Sequence, residues 1–158
     1  FGIYRVAEGA KELGSGTHSN VMRAVHLPTG QTVVLKLNKD MDGEAVAKEV
    51  HIYEKLQATG GFPAHAPFLT LLAHCDRPPA PWVALPYVAG ESLSQHLRAH
   101  GALNELFANA VAKQLADGLK YMHAASVLHL DLKPGNFPWG LSAWMRTPRS
   151  LRHPGNCT

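Results

Sequence analysis

The chain has 158 residues, enough for one compact domain or for part of a larger one. Its 46% hydrophobic and 17% charged residues are those of a folded chain, and no apolar run approaches the roughly 18 residues that cross a bilayer. A formal charge of +3 would admit a nucleic-acid partner, but Arg146, Arg149 and Arg152 supply all of it: the other 12 of the 15 Lys and Arg balance 12 Asp and Glu, so no nucleic-acid-binding domain is indicated.

The first 40 residues read as strands joined by tight turns. Leu27-Pro28-Thr29-Gly30 is a hairpin signal whose arms are residues 21–25 and 32–37. In the second arm Val33, Leu35 and Leu37 alternate with Val34 and Lys36, so one face is apolar and Lys36 points off the other. Over residues 42–58 the period becomes helical, with Asp42 as N-cap and Glu44 in the first turn. Two apolar runs follow, 68–73 and 82–88, which the Pro78-Pro79-Ala80-Pro81 breaker separates into two expected buried strands. Residues 92–100 read as a short helix. Asn104 caps a longer one, on which Phe107, Val111, Leu115, Leu119 and Met122 recur at helical spacing. Val127-Leu128 reads as a last apolar strand, and past Phe137 no period survives. This order argues an α+β fold, sheet-rich first and helical second.

Three separated segments carry chemistry. The first is Leu13-Gly14-Ser15-Gly16-Thr17-His18-Ser19-Asn20-Val21, a Gly-rich turn between strands. Glycines let backbone N–H groups approach phosphate oxygens closely, although such a turn alone is more often only a turn. The second is Lys36, which can hold phosphates if a carboxylate on the following helix fixes it. Glu49 and Glu54 compete for that role. At helical spacing Glu49 has Ala45, Val46, Ile52 and Tyr53 for neighbours, whereas Glu54 has Val50, His51, Gln57 and Ala58. Glu49 therefore falls on the buried stripe, where a carboxylate is costly without a partner, and is the better candidate. The third segment is His129-Leu130-Asp131-Leu132-Lys133-Pro134-Gly135-Asn136. There an Asp can orient and deprotonate a hydroxyl, a Lys can neutralise a transferring phosphoryl group, and an Asn can ligate a metal.

With these segments in this order, the chain resembles the eukaryotic-type Ser/Thr protein kinase family from about Tyr4 to Asn136. The resemblance implies an antiparallel N-terminal lobe with one helix, over residues 1–86, and a hinge with the start of a helical C-terminal lobe, over 87–137. A basic tail, 138–158, stands outside that pattern. It implies ATP and Mg²⁺ as cofactors and a protein substrate for the complete form. Lys36 and Glu49 would hold the ATP phosphates under the loop of Gly14, Ser15 and Gly16, and Leu13, Val21 and Val34 would sandwich adenine. Leu85 would be the gatekeeper, and the backbones of Pro86 and Val88 would meet the base. Pro86 lacks an N–H, but only its carbonyl is needed there. Asp131 would act on the substrate hydroxyl, Lys133 on the γ-phosphate, and Asn136 on Mg²⁺.

The departures matter as much. Ser19 stands for the loop's third glycine, and Leu130 for the Arg that in many members pairs with an activation-loop phosphate. No Asp or Glu follows Asp131, so the family's Asp-Phe-Gly metal site is missing. The resemblance therefore stops short of a full kinase, and the chain alone is expected to be inactive, with an apolar patch on the long helix. A truncated regulatory pseudokinase and a small-molecule phosphotransferase are the alternatives; Lys133 and the hinge-like segment 87–93 speak against the latter. His96 and His100 share a helix face, but no third ligand follows at metal spacing, so a solvated helix is expected. Cys75 and Cys157 are too few for a disulfide framework, which predicts a buried strand thiol at Cys75 and a reducing, cytoplasmic setting. A first residue of Phe rather than Met is what a fragment or processed product would show.

Overall fold

The computed structural model describes residues 2–6, 12–59 and 70–139. These form two compact units, one taking in residues 2–6, 12–54 and 70–87, the other 55–59 and 88–139.

The first unit is built on an antiparallel sheet of β1 (Tyr4–Val6), β2 (Glu12–Ser15), β3 (Ser19–His26), β4 (Gln31–Asn38), β5 (Ala73–Cys75) and β6 (Trp82–Pro86). Its order is β1-β3-β4-β6-β5, and β2 shares an edge of β3 with β1. β1 lies opposite Ala24 to His26 and β2 opposite Asn20 to Met22, with a bulge between Glu12 and Gly14. The β3–β4 turn closes through Gly30, whose amide donates to the His26 carbonyl at 2.8 Å and whose φ of 68° is cheap only for glycine.

Alternation along β4 divides the sheet into two faces. Val33 and Leu35 are wholly buried and cluster with Tyr4, Ala24, Leu72, Ala73, Trp82 and Ala84. Each large side chain buried there contributes roughly 1.5–3 kcal/mol. The opposite face carries Val34 and Lys36, with Val21 and Val83 paired to Lys36 and Leu85 paired to Val34. Helix α1 (Gly43–Ala58) belongs on this second face, because Val46 and Val50 cluster with Val83. Its expected cap is in place: Asp42 Oδ1 accepts from the amides of Glu44 and Ala45 at 2.9 and 3.1 Å. Ile52, assigned to the apolar stripe by spacing, is instead 44% exposed.

In the second unit, α2 (Leu93–His100) starts from a complete capping box in which Ser92 and Gln95 bond reciprocally. Asn104 Oδ1 caps α3 (Glu105–Ala124) by accepting from the Phe107 amide at 3.0 Å. Val111 and Met122 of the expected stripe are buried, and Met122 joins Leu56, Ala125 and Val127 in the unit's core. Phe107 remains 54% exposed. A 3-10 turn over Pro134–Asn136 leads to β8 (Pro138–Trp139), which pairs with β7 (Glu91–Ser92).

Several sequence expectations are corrected here. Val127-Leu128 is not a strand: Val127 is buried, but Leu128 is exposed and the backbone is irregular. The run 68–73 begins outside the described residues, and its strand starts only at Ala73; Leu72 before it is buried, with its amide donating to the Ala84 carbonyl. Pro138 and Trp139, assigned to the tail, form β8; the rest of the tail lies outside the described residues. Cys75 is disulfide-bonded rather than a free thiol. No described helix is long and apolar enough to cross a membrane.

Gly43, the first residue of α1, has no room for a side chain: a Cβ there would clash with the Asp76 carbonyl oxygen, a backbone atom that cannot swing away. Gly43→Ala is expected to lower stability by about 1–3 kcal/mol, as overpacking does. Gly14→Ala, where a Cβ would meet nothing within 4 Å, is the control that should stay near wild type in urea denaturation.

Candidate functional site

The first unit gathers its candidate residues around Lys36. The side chain leaves β4 on the α1 face, and Glu49 faces it from the second turn of the helix, giving a Lys36 Nζ to Glu49 Oε2 distance of 2.7 Å. Both side chains are partly exposed, at 36% and 28%, so the pair adds no more than about 1 kcal/mol of stability. Its value is positional: an ammonium held by a carboxylate is aimed, with N–H donors still free to meet an anion. Glu54, the competing carboxylate, is exposed. Burial, with the Glu49 carboxylate nearby, pushes the Tyr53 phenol well above its ordinary range, so Tyr53 stays neutral beside the pair.

A cavity of about 140 Å³ opens beside this pair, lined by His18, Ser19, Lys36, Asn38, Glu49 and Val83 among others. The Gly-rich turn forms one of its walls. Within the turn the Gly16 amide donates to the Ser19 carbonyl at 2.9 Å, Lys39 Nζ donates to the Gly16 carbonyl at 2.8 Å, and His18 meets Asp40 at 3.0 Å. Lys39 and Asp40 are braces that the sequence reading missed; they directly follow β4, and no local period marks them. A Cβ on Gly14 would meet nothing, and one on Gly16 only ordinary contacts with Ser19, so protein packing does not explain either glycine. Val21 and Val34 are half-buried on the Lys36 face, Leu13 is exposed, and Leu85 and Pro86 are buried at the end of β6. Ser15 is in β2, and Val88, just beyond β6, is half-buried in the second unit. An apolar face beside an aimed ammonium and an open Gly-rich turn suits a ligand with a flat base and a phosphate chain, which is the chemistry of ATP.

The second unit has its own candidate residues in a short loop. Asp131 is its hub: Lys133 Nζ lies 2.8 Å from Asp131 Oδ2, and Asn136 Nδ2 donates to both Oδ2 and the backbone carbonyl of Asp131 at 2.9 Å. The Asp131 amide donates to the His129 carbonyl at 2.8 Å and lies 3.3 Å from His129 Nδ1. That tight turn forces Leu130 to a φ of 59°, left-handed backbone that side chains with a Cβ avoid, and leaves Leu130 90% exposed. Hydrogen bonds from Lys133 and then Asn136 hold the Asp131 carboxyl below its ordinary value. It is therefore a carboxylate at neutral pH, able to accept a hydroxyl proton.

Among the described residues, Asp131 and Asn136 already bond each other, and Mg²⁺ is held through oxygen, usually with carboxylates. The cluster with metal-ligand spacing that the described residues do form lies elsewhere, at Glu91, His96 and His100.

Comparison with known proteins agrees with this geometry. The sequence matches the family profile "Protein kinase domain" over residues 7–138. It is 27% identical over 130 residues to the serine/threonine-protein kinase RAD53 of Saccharomyces cerevisiae, covering 78% of this chain and 15% of that protein. It is 31% identical over 126 residues to sperm motility kinase 2B of Mus musculus, covering 78% of this chain and 25% of that protein. The fold superposes on the crystal structure of Rad53 1-466 in complex with AMP-PNP with a TM-score of 0.69 at 26% identity, covering 85% of this chain and 34% of that one. The chain thus spans a quarter or less of these two curated relatives.

The Asp131 loop yields a pH prediction. Because its folded pKa is depressed, Asp131 contributes stability that is present above the ordinary aspartate range and is lost as pH falls through the depressed value. Lys133→Ala removes the largest cause, so the Asp131 titration midpoint, followed by carboxyl-carbon NMR, should rise toward the ordinary aspartate value. An unchanged midpoint would show that Lys133 does not govern the carboxylate.

Proposed function

Because the chain belongs to the protein kinase family, we propose that it binds ATP through the Lys36 face and that its complete form transfers the γ-phosphoryl group to Ser or Thr hydroxyls of proteins. The observation that carries this reading is the Lys36–Glu49 pair set on the same sheet face as Val21, Val34 and Leu85. On this reading Leu13, Val21 and Val34 contact adenine, Leu85 is the gatekeeper, and the backbones of Pro86 and Val88 meet the base. Gly14, Ser15 and Gly16 cover the phosphates that Lys36 grips. Asp131 orients and deprotonates the hydroxyl, Lys133 offsets charge on the transferring group, and Asn136 contributes to a metal site that the described residues do not complete.

Residues 1–86 are then the N-terminal lobe, 87–137 the hinge and the opening of the helical lobe, and 138–158 a basic extension beyond it. The incomplete metal site bears directly on rate. Metal stabilisation of a phosphoryl-transfer transition state amounts to several kcal/mol, and each ~1.4 kcal/mol is a factor of ten, so this chain alone should turn over at least about a thousandfold more slowly than a complete kinase.

Two measurements test the reading together. ATP should raise the thermal midpoint of the chain, and Lys36→Met should weaken that binding about tenfold or more, as loss of a charge-assisted phosphate contact does. An equal ATP response in Lys36→Met would remove the proposed role of the pair. Ser/Thr peptides should remain unphosphorylated by the chain alone. Robust peptide phosphorylation, abolished by Asp131→Asn, would overturn the inactivity, and phosphorylation of a sugar or amino alcohol instead would overturn the protein substrate. Nucleotide binding that persists with no transfer in any longer form would favour a regulatory pseudokinase.

A further inference from the structure

Away from the nucleotide face, α2 and the β7–β8 ribbon bring together a group that the sequence did not show as complete. His96 and His100 sit one turn apart on α2 with their rings stacked at a centroid distance of 4.4 Å. Glu91 arrives from β7, and its Oε1 lies 2.9 Å from His96 Nδ1. One nitrogen or oxygen from each of the three lies within 4.8 Å of the others.

The hydrogen bonds fix the chemistry of the two rings. A carboxylate can only accept, so His96 presents Nδ1–H to Glu91; a carbonyl can only accept, so His100 presents Nδ1–H to the His96 carbonyl at 3.2 Å. In this tautomer neutral His100 carries its lone pair on Nε2, open to an ion. At His96 an ion would instead take the place of the proton between Nδ1 and Glu91 Oε1, the ring proton passing through solvent to Nε2. The frame around them is stiff. Ser92 caps α2 reciprocally with Gln95, Leu93 is buried, Glu91 pairs with Trp139 across β7–β8, and the Trp139 ring lies 4.6 Å from that of His96. Glu91 and His96 are 35% and 21% exposed, which gives an ion access with partial shielding from water.

We propose that Glu91, His96 and His100 bind a divalent transition-metal ion of the zinc class. Two imidazole nitrogens and one carboxylate suit Zn²⁺, and three protein ligands leave a coordination position for water or a partner's side chain. The donors do not suit Mg²⁺, so this site is separate from phosphoryl-transfer chemistry. Side-chain rotations must draw the three atoms in to the ~2.0–2.2 Å bonds of a zinc centre. The bound ion would tie the last turn of α2 to β7.

The test is calorimetric titration of the full chain with Zn²⁺, with Mg²⁺ as control, alongside thermal unfolding in Zn²⁺ and in EDTA. Wild type should bind Zn²⁺ saturably and show a higher unfolding midpoint in Zn²⁺ than in EDTA, with no response to Mg²⁺. His100→Ala changes an exposed residue and should match wild type in EDTA yet lose affinity about tenfold or more. Glu91→Gln should lose affinity by a similar factor. Equal Zn²⁺ affinity in wild type and His100→Ala would place binding at other residues and overturn the proposal, as would the absence of saturable binding to wild type. If His100→Ala unfolds in EDTA, Glu91→Gln decides between the same two outcomes.

Discussion

The two-residue period of β4 is the constraint on which the rest depends. Val33 and Leu35 must be buried, and that requirement alone sends Val34 and Lys36 to the opposite face. A one-residue slip against β3 or β6 would carry the Lys36 ammonium into an apolar core and Leu35 out of it, so hydrophobic burial and charge solvation enforce the same register. Helix α1 then has one apolar place to lie, against Val83, and Glu49, three residues beyond Val46, is brought to Lys36 as a result. The ion pair is weak as a source of stability because both partners are partly in water. Packing holds the pair in place, and the pair does not hold the packing.

Where the sequence was readable, the signals were local and physical. The Leu27 to Gly30 turn, the Asp42 and Asn104 caps and the choice of Glu49 over Glu54 each follow from residues within about one helical turn, or from a short alternating run. What escaped was set by partners distant in sequence. Val127-Leu128 is apolar because Val127 fills a cluster with Leu56 and Met122, and a two-residue apolar run looks the same in a strand as in buried irregular chain. Strands β7 and β8 have two residues each and therefore no period, so neither their pairing nor the arrival of Glu91 beside His96 could be read. Lys39 and Asp40 brace the Gly-rich turn from the end of the neighbouring strand, again without a local mark.

The two groups of candidate residues, one in each unit, are held by different physics. The Lys36 part needs β3, β4, β6 and α1 to come together, and its central feature is an apolar face with one aimed cation. The Asp131 part is polar and exposed, and a dense set of short hydrogen bonds fixes it with little burial. Leu130 shows what that density requires: its left-handed backbone is tolerated because the bonds converging on Asp131 outweigh a conformational penalty on the order of 1–3 kcal/mol.

That contrast has a consequence for contact order. The bonds that shape the Asp131 loop join residues 129 to 136, so nearly all its geometry is written over eight consecutive positions. The Lys36 side chain, by comparison, stands opposite Val83 across a long excursion of chain. Short-range closure forms quickly and depends little on distant sequence. The shape of the loop is in this sense local, set by bonds among eight consecutive residues. A protein can therefore carry this most recognisable segment of its family intact while the long-range assembly that would give it a metal is settled elsewhere.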